Sequence, residues 1–391
     1  MEEVFIVAAR RTPVGGLMGS LSSLTAPQLG AAAIRAACEA AGIAPELAEE
    51  VYMGNVLPAG IGQAPARQAS VLAGIPPSAG STTVNKVCAS GMKAVMIAAQ
   101  QVQLGLSGLV VGGGMESMSN TPHYAYLRKG CKLGDAGLTD GVIKDGLWDA
   151  YHNFHMGSAA ELAVKKYRLS REAQDAYALS SYEKAAAATR SGKFARELVT
   201  INIPRKPGPL AVSEDEDISK VIPEKMPLLS PAFEKDGTIT AANASNLNDG
   251  AAALVLASSG MVRQLGLSPI ARILSYADAA QAPEWFTTSP SIAIPRALQR
   301  AGLSLPDIDY FEINEAYAAV ILANQQLLGL DLDKVNVYGG AVAIGHPIGA
   351  SGARILTTLT TVLGQEKGRY GVAAICNGGG GASAVVIENL Q

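Results

Sequence analysis

The amino-acid sequence contains an internal repeat, with an offset of about 260 residues between matching segments. Residues 41–55 and 301–314 both pass from an Ala-Gly pair through a short loop into a strand-like segment that ends in asparagine. Residues 109–114 and 373–380 also match, as apolar runs ending in glycines, a pattern typical of buried strands. A solenoid would have a much shorter period. The repeat therefore predicts two similar α/β halves, each a sheet layered with helices.

The two halves differ in the length of chain after the glycines. In the second half, the run at 378–381 leads at once into a closing strand at 384–388. In the first half, about 130 residues separate the glycines from the matching strand at 251–257. We therefore predict that residues 1–117 and 249–269 form the first half and residues 270–391 the second. Residues 118–248, which are polar and contain a helical pattern at 171–188, are predicted as an inserted loop domain that serves binding.

Composition and charge argue against several classes of protein. A net charge of −3 supplies no broad phosphate-neutralising surface, so no nucleic-acid partner is expected. The longest apolar runs are too short to span a bilayer, and no membrane partner is expected. The chain shows neither a secretory signal nor a peroxisomal tripeptide. Four cysteines without CxxC spacing suggest a reducing compartment. We expect a cytoplasmic protein, with a mature mitochondrial form as the open alternative.

Cys88 lies where an extended segment gives way to a helical pattern. The free N–H groups and the dipole at a helix N-terminus favour a thiolate. The alternative, more common for a lone cysteine, is a buried thiol packed as a small hydrophobe. Ser-Gly pairs at 90–91 and 351–352 open matching helices in the two halves. The apolar residues that define the helix after Cys88 are Met92, Val95, Met96, Ala99 and Val102.

Three further positions carry groups suited to catalysis. His346 lies in a Gly-His-Pro-Ile-Gly turn, where a capping histidine is an equally good interpretation. Asn314 follows a predicted strand, at the end where α/β sites collect side chains, although it also suits a helix cap. Cys376 ends a strand before a run of four glycines, and a packed thiol is its alternative. Because no Gly-Lys-Ser/Thr comes after them, these glycines suit an oxyanion hole better than a nucleotide loop.

Taken together, these motifs resemble the thiolases, and within them the biosynthetic acetoacetyl-CoA thiolases. The resemblance covers nearly the whole chain, from residues 7–13 to the last strand. It implies a five-layered α-β-α-β-α sandwich of two duplicated halves with an inserted loop domain. The motifs that carry it are Cys-Ala-Ser-Gly at 88–91, Asn-Glu-Ala-Tyr at 314–317, Gly-His-Pro at 345–347 and Cys-Asn-Gly-Gly-Gly at 376–380.

The resemblance also implies catalytic roles. Cys88 would be the nucleophile that takes the acyl group, and His346 its general base. Cys376 would remove a proton from the methyl carbon of the second acetyl-CoA. Asn314 would fix a water that forms one oxyanion hole with His346, and the N–H groups of Cys88 and Gly378 would form the other. A Claisen condensation needs a nucleophile, a carbon base and two sites for negative oxygen, which this set supplies.

The same resemblance implies contacts with coenzyme A. Lys225 would face the nucleotide phosphates, although a solvated surface lysine is almost as good an interpretation. Tyr317 stands where relatives commonly have phenylalanine, and its hydroxyl adds polarity to the acyl pocket. The remaining contacts, along the pantetheine and adenine path, would be Leu147, His155, Met156 and Ser245.

Other features resemble a potassium-activated branch of the family. No tightly bound cofactor is expected, since coenzyme A is a substrate and product, but a potassium ion is expected as a possible ligand. Residues 123–140 resemble a tetramerisation loop, which implies a homotetramer built as a dimer of dimers. The implied cation ligands are Tyr182, the carbonyls of Ala241, Ala242 and Ala244, and Val342.

The predicted function is that of an acetyl-CoA C-acetyltransferase, which joins two acetyl-CoA molecules into acetoacetyl-CoA and CoA and catalyses the reverse thiolysis. The alternative is a degradative 3-ketoacyl-CoA thiolase that uses the same residues on longer chains. A carrier-protein condensing enzyme fits less well, because such enzymes usually have histidine in place of Cys376. A non-catalytic CoA-binding protein is the least favoured, because all the reactive groups are present.

Overall fold

The computed structural model describes residues 2–391 of the chain. That range contains sixteen strands and ten α-helices, numbered in chain order. The strands are β1 (Val4–Arg11), β2 (Gly15–Gly16), β3 (Glu50–Gly54), β4 (Gly80–Val84), β5 (Leu109–Ser117), β6 (His123–Tyr124), β7 (Thr139–Asp140), β8 (Trp148–Asp149), β9 (Phe154–His155), β10 (Ile201–Ile203), β11 (Leu210–Val212), β12 (Asn248–Ser258), β13 (Ala271–Ala280), β14 (Tyr310–Ile313), β15 (Tyr370–Asn377) and β16 (Gly381–Asn389). The helices are α1 (Ala26–Ala41), α2 (Pro65–Ala73), α3 (Ser90–Gln103), α4 (Met156–Tyr167), α5 (Arg171–Arg190), α6 (Ser259–Leu265), α7 (Pro290–Ala301), α8 (Ala318–Leu328), α9 (Ala341–Ile344) and α10 (Ser351–Gln365).

The main sheet has the same strand order in both halves of the chain. The order is β3-β5-β12-β1 in the first half and β14-β15-β16-β13 in the second. In each half the first pair is parallel and the next two pairs are antiparallel. The prediction of two duplicated α/β halves is therefore confirmed.

The two half-sheets meet where β1 pairs with β13, over residues 4–6 and 271–273 only. The register of β1 against β12 shifts between Ile6 and Ala8, and that of β13 against β16 shifts between Ile273 and Ser275. Such irregularities bend a strand and increase its twist. The contact between the halves at the sheet edge is therefore short.

Alternate residues of the buried strands face different helix layers. On β12, Ala253 and Val255 face the side covered by α1 and α2, whereas Leu254 and Leu256 face α3 and α10. In the second half, α7 and α8 lie on the outer side of the sheet. The order helix, sheet, helix, sheet, helix is the five-layered sandwich predicted from the sequence.

The chain between β5 and β12 makes a long excursion from the sheet. Asp249 on β12 pairs with Ser117 on β5, so the chain leaves and re-enters the sheet at neighbouring positions. The helix predicted at 171–188 is α5, which packs against α8 and α9. The excursion thus adds its helices to the core of the second half. The boundaries of a separate loop domain stay a prediction. Within residues 2–391, no helix has both the length and the apolarity to cross a bilayer.

Candidate active site

Cys88 lies in the turn between strand β4 and helix α3. The Lys86 N–H donates a hydrogen bond to Ser90 Oγ at 2.8 Å, and Ser90 Oγ in turn donates to the Val87 carbonyl. Val87 has a φ of +48°, which is strained for a β-branched residue. These bonds hold the strained turn and keep the half-buried Cys88 at the N-terminal end of the helix.

His346 is fixed by the turn that precedes helix α10. Its backbone N–H donates to Asn248 Oδ1 at 2.8 Å, and its ring atom Nδ1 lies 2.6 Å from Ser351 Oγ. Ser351 Oγ donates its only proton to the Pro347 carbonyl, at 2.9 Å. Nδ1 must therefore carry the proton that Ser351 accepts, which leaves Nε2 with a lone pair. Burial, with a smaller contribution from Arg354, lowers the pKa of His346 to about 3, so the imidazole is neutral.

The two turns meet because helices α3 and α10 touch backbone to backbone. A Cβ added at Gly91 would lie 3.0 Å from the Ala353 nitrogen, and one at Gly352 would lie 2.7 Å from Met92 Cβ. Only glycine at these two positions permits the approach. The repeated Ser-Gly pairs thus bring Cys88 and His346 to one place, each from a different half.

The thiol of Cys88 is protonated at neutral pH. Burial raises its pKa to about 11. The backbone N–H groups of Gly378 and of Cys88 itself have the opposite, smaller effect and lower the pKa. Glu116 also raises it. The backbone N–H groups favour a thiolate, as expected at a helix N-terminus, but burial has the larger and opposite effect on the pKa. The two N–H groups that the resemblance assigns to an oxyanion hole lie beside this sulfur.

Cys376 lies near the end of strand β15 and is fully buried. Burial, followed by the neighbouring Cys88, raises the pKa of its thiol well above the ordinary range. Both thiols therefore rest in the protonated form. They belong to different halves and are close enough for the charge of one to affect the other.

Asn314 follows strand β14, as predicted, and is fully buried. Within residues 2–391, neither atom of its side-chain amide has a hydrogen-bond partner. A buried amide without a partner is unusual, so its hydrogen-bonding capacity is available to a third group.

Three of the reactive residues face a cavity of about 350 Å³. Cys88, His346 and Gly378 lie in its wall, whereas Cys376 and Asn314 are buried outside that lining. The predicted CoA contacts Leu147, His155, Met156, Ser245 and Tyr317 all line the cavity.

His155 shows how the cavity wall is built. Its Nδ1 accepts the Gly157 N–H at 3.0 Å, and its ring stacks on Phe233 with 4.7 Å between centroids. Burial lowers the pKa of His155, so the wall carries little charge here. A flat, mostly apolar channel suits a thioester arm.

Lys225 lies outside the main cavity. It lines a neighbouring depression of about 240 Å³, together with Lys220, Tyr182, Ala241 and Ala242. Ala241 also lines the main cavity, so the two spaces adjoin. The assignment of Lys225 to a CoA phosphate stays a prediction.

Several residues of the predicted cation site carry oxygen atoms without hydrogen-bond partners, and the site itself stays a prediction. Within residues 2–391, the carbonyls of Ala241, Ala242 and Ala244 accept no hydrogen bond, and the buried Tyr182 donates none. Carbonyl and phenol oxygens are ligands that hard cations accept. Val342 is buried nearby and donates its N–H to Glu315 at 3.1 Å.

Sequence reasoning missed Ser351, Asn248 and Glu116. Glu116 is fully buried and accepts bonds from the N–H groups of Val56 and Gly349, each at 2.9 Å. It thus ties the first half to the loop after His346. Only the matched Ser-Gly pairs in the sequence pointed toward one of the three, Ser351.

Two half-sheets of the same topology, with helices α3 and α10 packed closely between them, bring a thiol from one half and an imidazole from the other to one cavity. This arrangement defines a class of thiol-dependent acyltransferases. Residues 4–260 match the family model "Thiolase, N-terminal domain" and residues 267–389 match "Thiolase, C-terminal domain". The chain belongs to the thiolase family.

Individual relatives are similar over nearly their whole length. "Acetyl-CoA acetyltransferase ERG10, cytosolic" of Gibberella zeae is 55% identical, over 99% of this chain and 98% of the relative. "Acetyl-CoA acetyltransferase, mitochondrial" of Xenopus tropicalis is 52% identical, over 100% and 93%. The solved structure of Acat5 thiolase from Ascaris suum, in complex with coenzyme A, superposes with a TM-score of 0.95 at 46% identity and covers both chains fully.

Proposed function

We propose that this protein is an acetyl-CoA C-acetyltransferase that condenses two acetyl-CoA molecules through an acetyl-Cys88 intermediate. The observation that carries the proposal is the meeting of Cys88 with the free Nε2 of a neutral His346 at one cavity. Relatives named as acetyl-CoA acetyltransferases, 55% identical over nearly the full chain, support acetyl-CoA as the substrate.

In the first step, the Cys88 sulfur attacks the thioester carbonyl while its proton moves to His346 Nε2. The proton moves as the C–S bond forms, because burial disfavours a free thiolate. The N–H groups of Cys88 and Gly378 receive the developing negative oxygen. The C–S bond to CoA then breaks, and the leaving thiolate takes the proton of Cys376, which rests in the acid form.

In the second step, the Cys376 thiolate removes a proton from the methyl carbon of the second acetyl-CoA. The resulting enolate attacks the acetyl carbonyl on Cys88, with its own oxygen stabilised by His346 and the water held by Asn314. The Cys88 sulfur leaves and recovers the proton stored on His346. Protons and charges balance over the two steps, and thiolysis is the reverse sequence.

Replacement of Cys376 by serine separates the two steps. Serine keeps the size but is far too weak an acid to form the base, so Cys88 should still be acetylated, slowly. Condensation should fall by roughly two to four orders of magnitude, the usual contribution of one general acid–base group. The measurement pairs rapid-quench mass spectrometry of Cys88 with formation of acetoacetyl-CoA.

The matched control for that experiment is Cys38→Ser, because Cys38 is a buried thiol in helix α1, away from the cavity. It should leave both steps unchanged. If Cys376→Ser condenses normally, the base lies elsewhere and the mechanism is wrong. Acetyl groups found on Cys38 or Cys131 would overturn the assignment of the nucleophile.

Potassium binding is a further part of the proposal. Tyr182, Val342 and the carbonyls of Ala241, Ala242 and Ala244 would hold the ion, whose charge would order the loop beside the cavity. Potassium should therefore raise the melting temperature more than sodium does, and Tyr182→Phe should reduce the difference. An equal rise in melting temperature with both ions would contradict a selective potassium site.

A dimer of dimers and a cytosolic location complete the proposal. The loop at 123–140 exposes Leu133 at 96% and Leu138 at 71%, which supports its use as a contact between copies. The name of the Gibberella zeae relative supports the cytosol. Analytical ultracentrifugation of a chain lacking residues 125–137 should give a dimer, and cell fractionation tests the compartment.

A further inference from the structure

Tyr317 lies at the beginning of helix α8, in the wall of the cavity. Its ring is 7% exposed and meets Phe233 edge to face, with 6.0 Å between centroids. Its backbone is held in an antiparallel bridge with Ala244, flanked by a 2.8 Å bond from the Ala318 N–H to the Asn243 carbonyl. The ring is therefore fixed from both ends, and its position does not depend on a ligand.

The hydroxyl of Tyr317 has no hydrogen-bond partner within residues 2–391, whereas three other buried or half-buried tyrosines donate to acidic or amide side chains. Tyr177 donates to Glu315 at 2.7 Å, and Tyr276 donates to Gln103 at 2.6 Å. Tyr338 donates to Glu366. A buried hydroxyl without a protein partner is unusual, and interaction with a ligand is one explanation for it.

The hydroxyl faces the reacting end of the cavity. Burial, followed by Cys88 and then Cys376, raises the pKa of Tyr317 far above its ordinary value, so the group stays a neutral phenol. Although both thiols lie close enough to affect it, it is hydrogen-bonded to neither sulfur. The space between the phenol and the two sulfurs is where an acyl group on Cys88 must lie.

We propose that Tyr317 determines the acyl specificity of the enzyme, because its hydroxyl disfavours apolar extension of the acyl group carried by Cys88. The proposal rests on the proposed function. An acetyl group has no methylene group to place against the hydroxyl. A propionyl or butyryl chain would cover the hydroxyl with methylene groups that offer it no hydrogen bond.

The expected size of this effect comes from the cost of burying an unpaired polar group. Such a group costs enough to change a rate ratio by about tenfold or more. Among the other lining residues, Met118, Met156, Phe286 and Ile348 are apolar, so none of them disfavours a longer chain through an unpaired polar group.

The test compares thiolysis of acetoacetyl-CoA, 3-ketopentanoyl-CoA and 3-ketohexanoyl-CoA in the wild type and in Tyr317→Phe. In this reaction Cys88 bonds to C3, the C2–C3 bond breaks, and the departing enolate takes a proton from Cys376. The measured quantity is kcat/KM for each longer substrate divided by that for acetoacetyl-CoA. We expect this ratio to rise by about tenfold in Tyr317→Phe. The matched control is Tyr338→Phe, which removes a hydroxyl bonded to Glu366 and should leave the ratio unchanged.

The outcomes are distinct. A ratio that does not rise in Tyr317→Phe overturns the specificity role. An equal loss of kcat/KM on all three substrates also overturns it, because the hydroxyl would then serve catalysis or folding. Thermal melting of the variant distinguishes catalysis from folding. If the wild type cleaves none of the three substrates, the proposed function itself fails, whatever Tyr317 does.

Discussion

The two halves place an asparagine at the same point of the repeat and use it differently. Asn55 follows strand β3 and donates its amide to Glu116 at 2.6 Å. Asn314 follows the matching strand β14, and neither atom of its side-chain amide has a hydrogen-bond partner within residues 2–391. Both residues are fully buried. The amide nitrogen of Asn55 is therefore committed to structure, whereas both atoms of the Asn314 side-chain amide remain available to a reacting molecule.

The same division applies to the two Ser-Gly pairs. Ser90 bonds to the backbone of the turn that carries Cys88, whereas Ser351 bonds to the imidazole of His346 itself. Duplication supplied one backbone arrangement twice, and the halves diverged in what the serine holds. Matched positions in this repeat therefore need separate tests of stability and catalysis.

The largest expected difference is between Asn314→Ala and Asn55→Ala. Asn314→Ala should reduce condensation by roughly 10²- to 10³-fold, the usual effect of removing an oxyanion contact, with little change in melting temperature. Asn55→Ala should lower stability by about 1–3 kcal/mol, because Glu116 loses a buried donor, and should keep the turnover of the folded fraction. Urea unfolding and steady-state rates check both. If the two variants lose stability and condensation rate to the same extent, the two asparagines do not differ in role.

A smaller effect is expected at Ser351. Ser351→Ala removes the acceptor that keeps the proton on Nδ1 of His346, so Nε2 loses its bias as a base. Turnover should fall by roughly 10- to 100-fold, part of the usual contribution of a general base. Ser351→Thr should rescue the rate, since it keeps the hydroxyl. The counterpart Ser90→Ala should affect stability more than turnover. A normal rate in Ser351→Ala would contradict the assigned tautomer of His346.

The smallest effect concerns pH and Glu116. Burial raises the pKa of Glu116 to about 7, although the N–H groups of Val56, Leu57 and Gly349 and the Asn55 amide lower it. The native state therefore binds this proton more tightly than the unfolded state, and stability falls as pH rises from about 4.5 to 7. Glu116→Gln should flatten that part of the stability profile. The free energy of unfolding, measured with urea at pH 5 and at pH 8, checks this. If the difference between the two pH values is the same in the wild type and in Glu116→Gln, Glu116 ionises normally.

Much of the fold could be predicted because its signals are local. The repeat, the glycines at strand ends and the apolar spacing after Cys88 all lie within short segments. The protonation state of Cys88 could not be predicted, because it depends on burial by distant residues. Asn248 and Glu116 act through partners 98 and 233 residues away, and such pairings leave no pattern in a single sequence. The prediction for Lys225 rests on its position alone, and the sequence does not encode which cavity it borders.

The close contact of helices α3 and α10 at Gly91 and Gly352 affects how substrates enter. Helices that meet at backbone distance leave no room for a hinge between the halves. The nucleophile and the base therefore belong to one rigid body and cannot open to admit a long thioester. Access must come from the segment at 118–247, whose side chains form much of the cavity wall away from the sulfurs. Turnover should thus respond to solvent viscosity and to changes in that segment, whereas the catalytic geometry stays the same throughout the cycle.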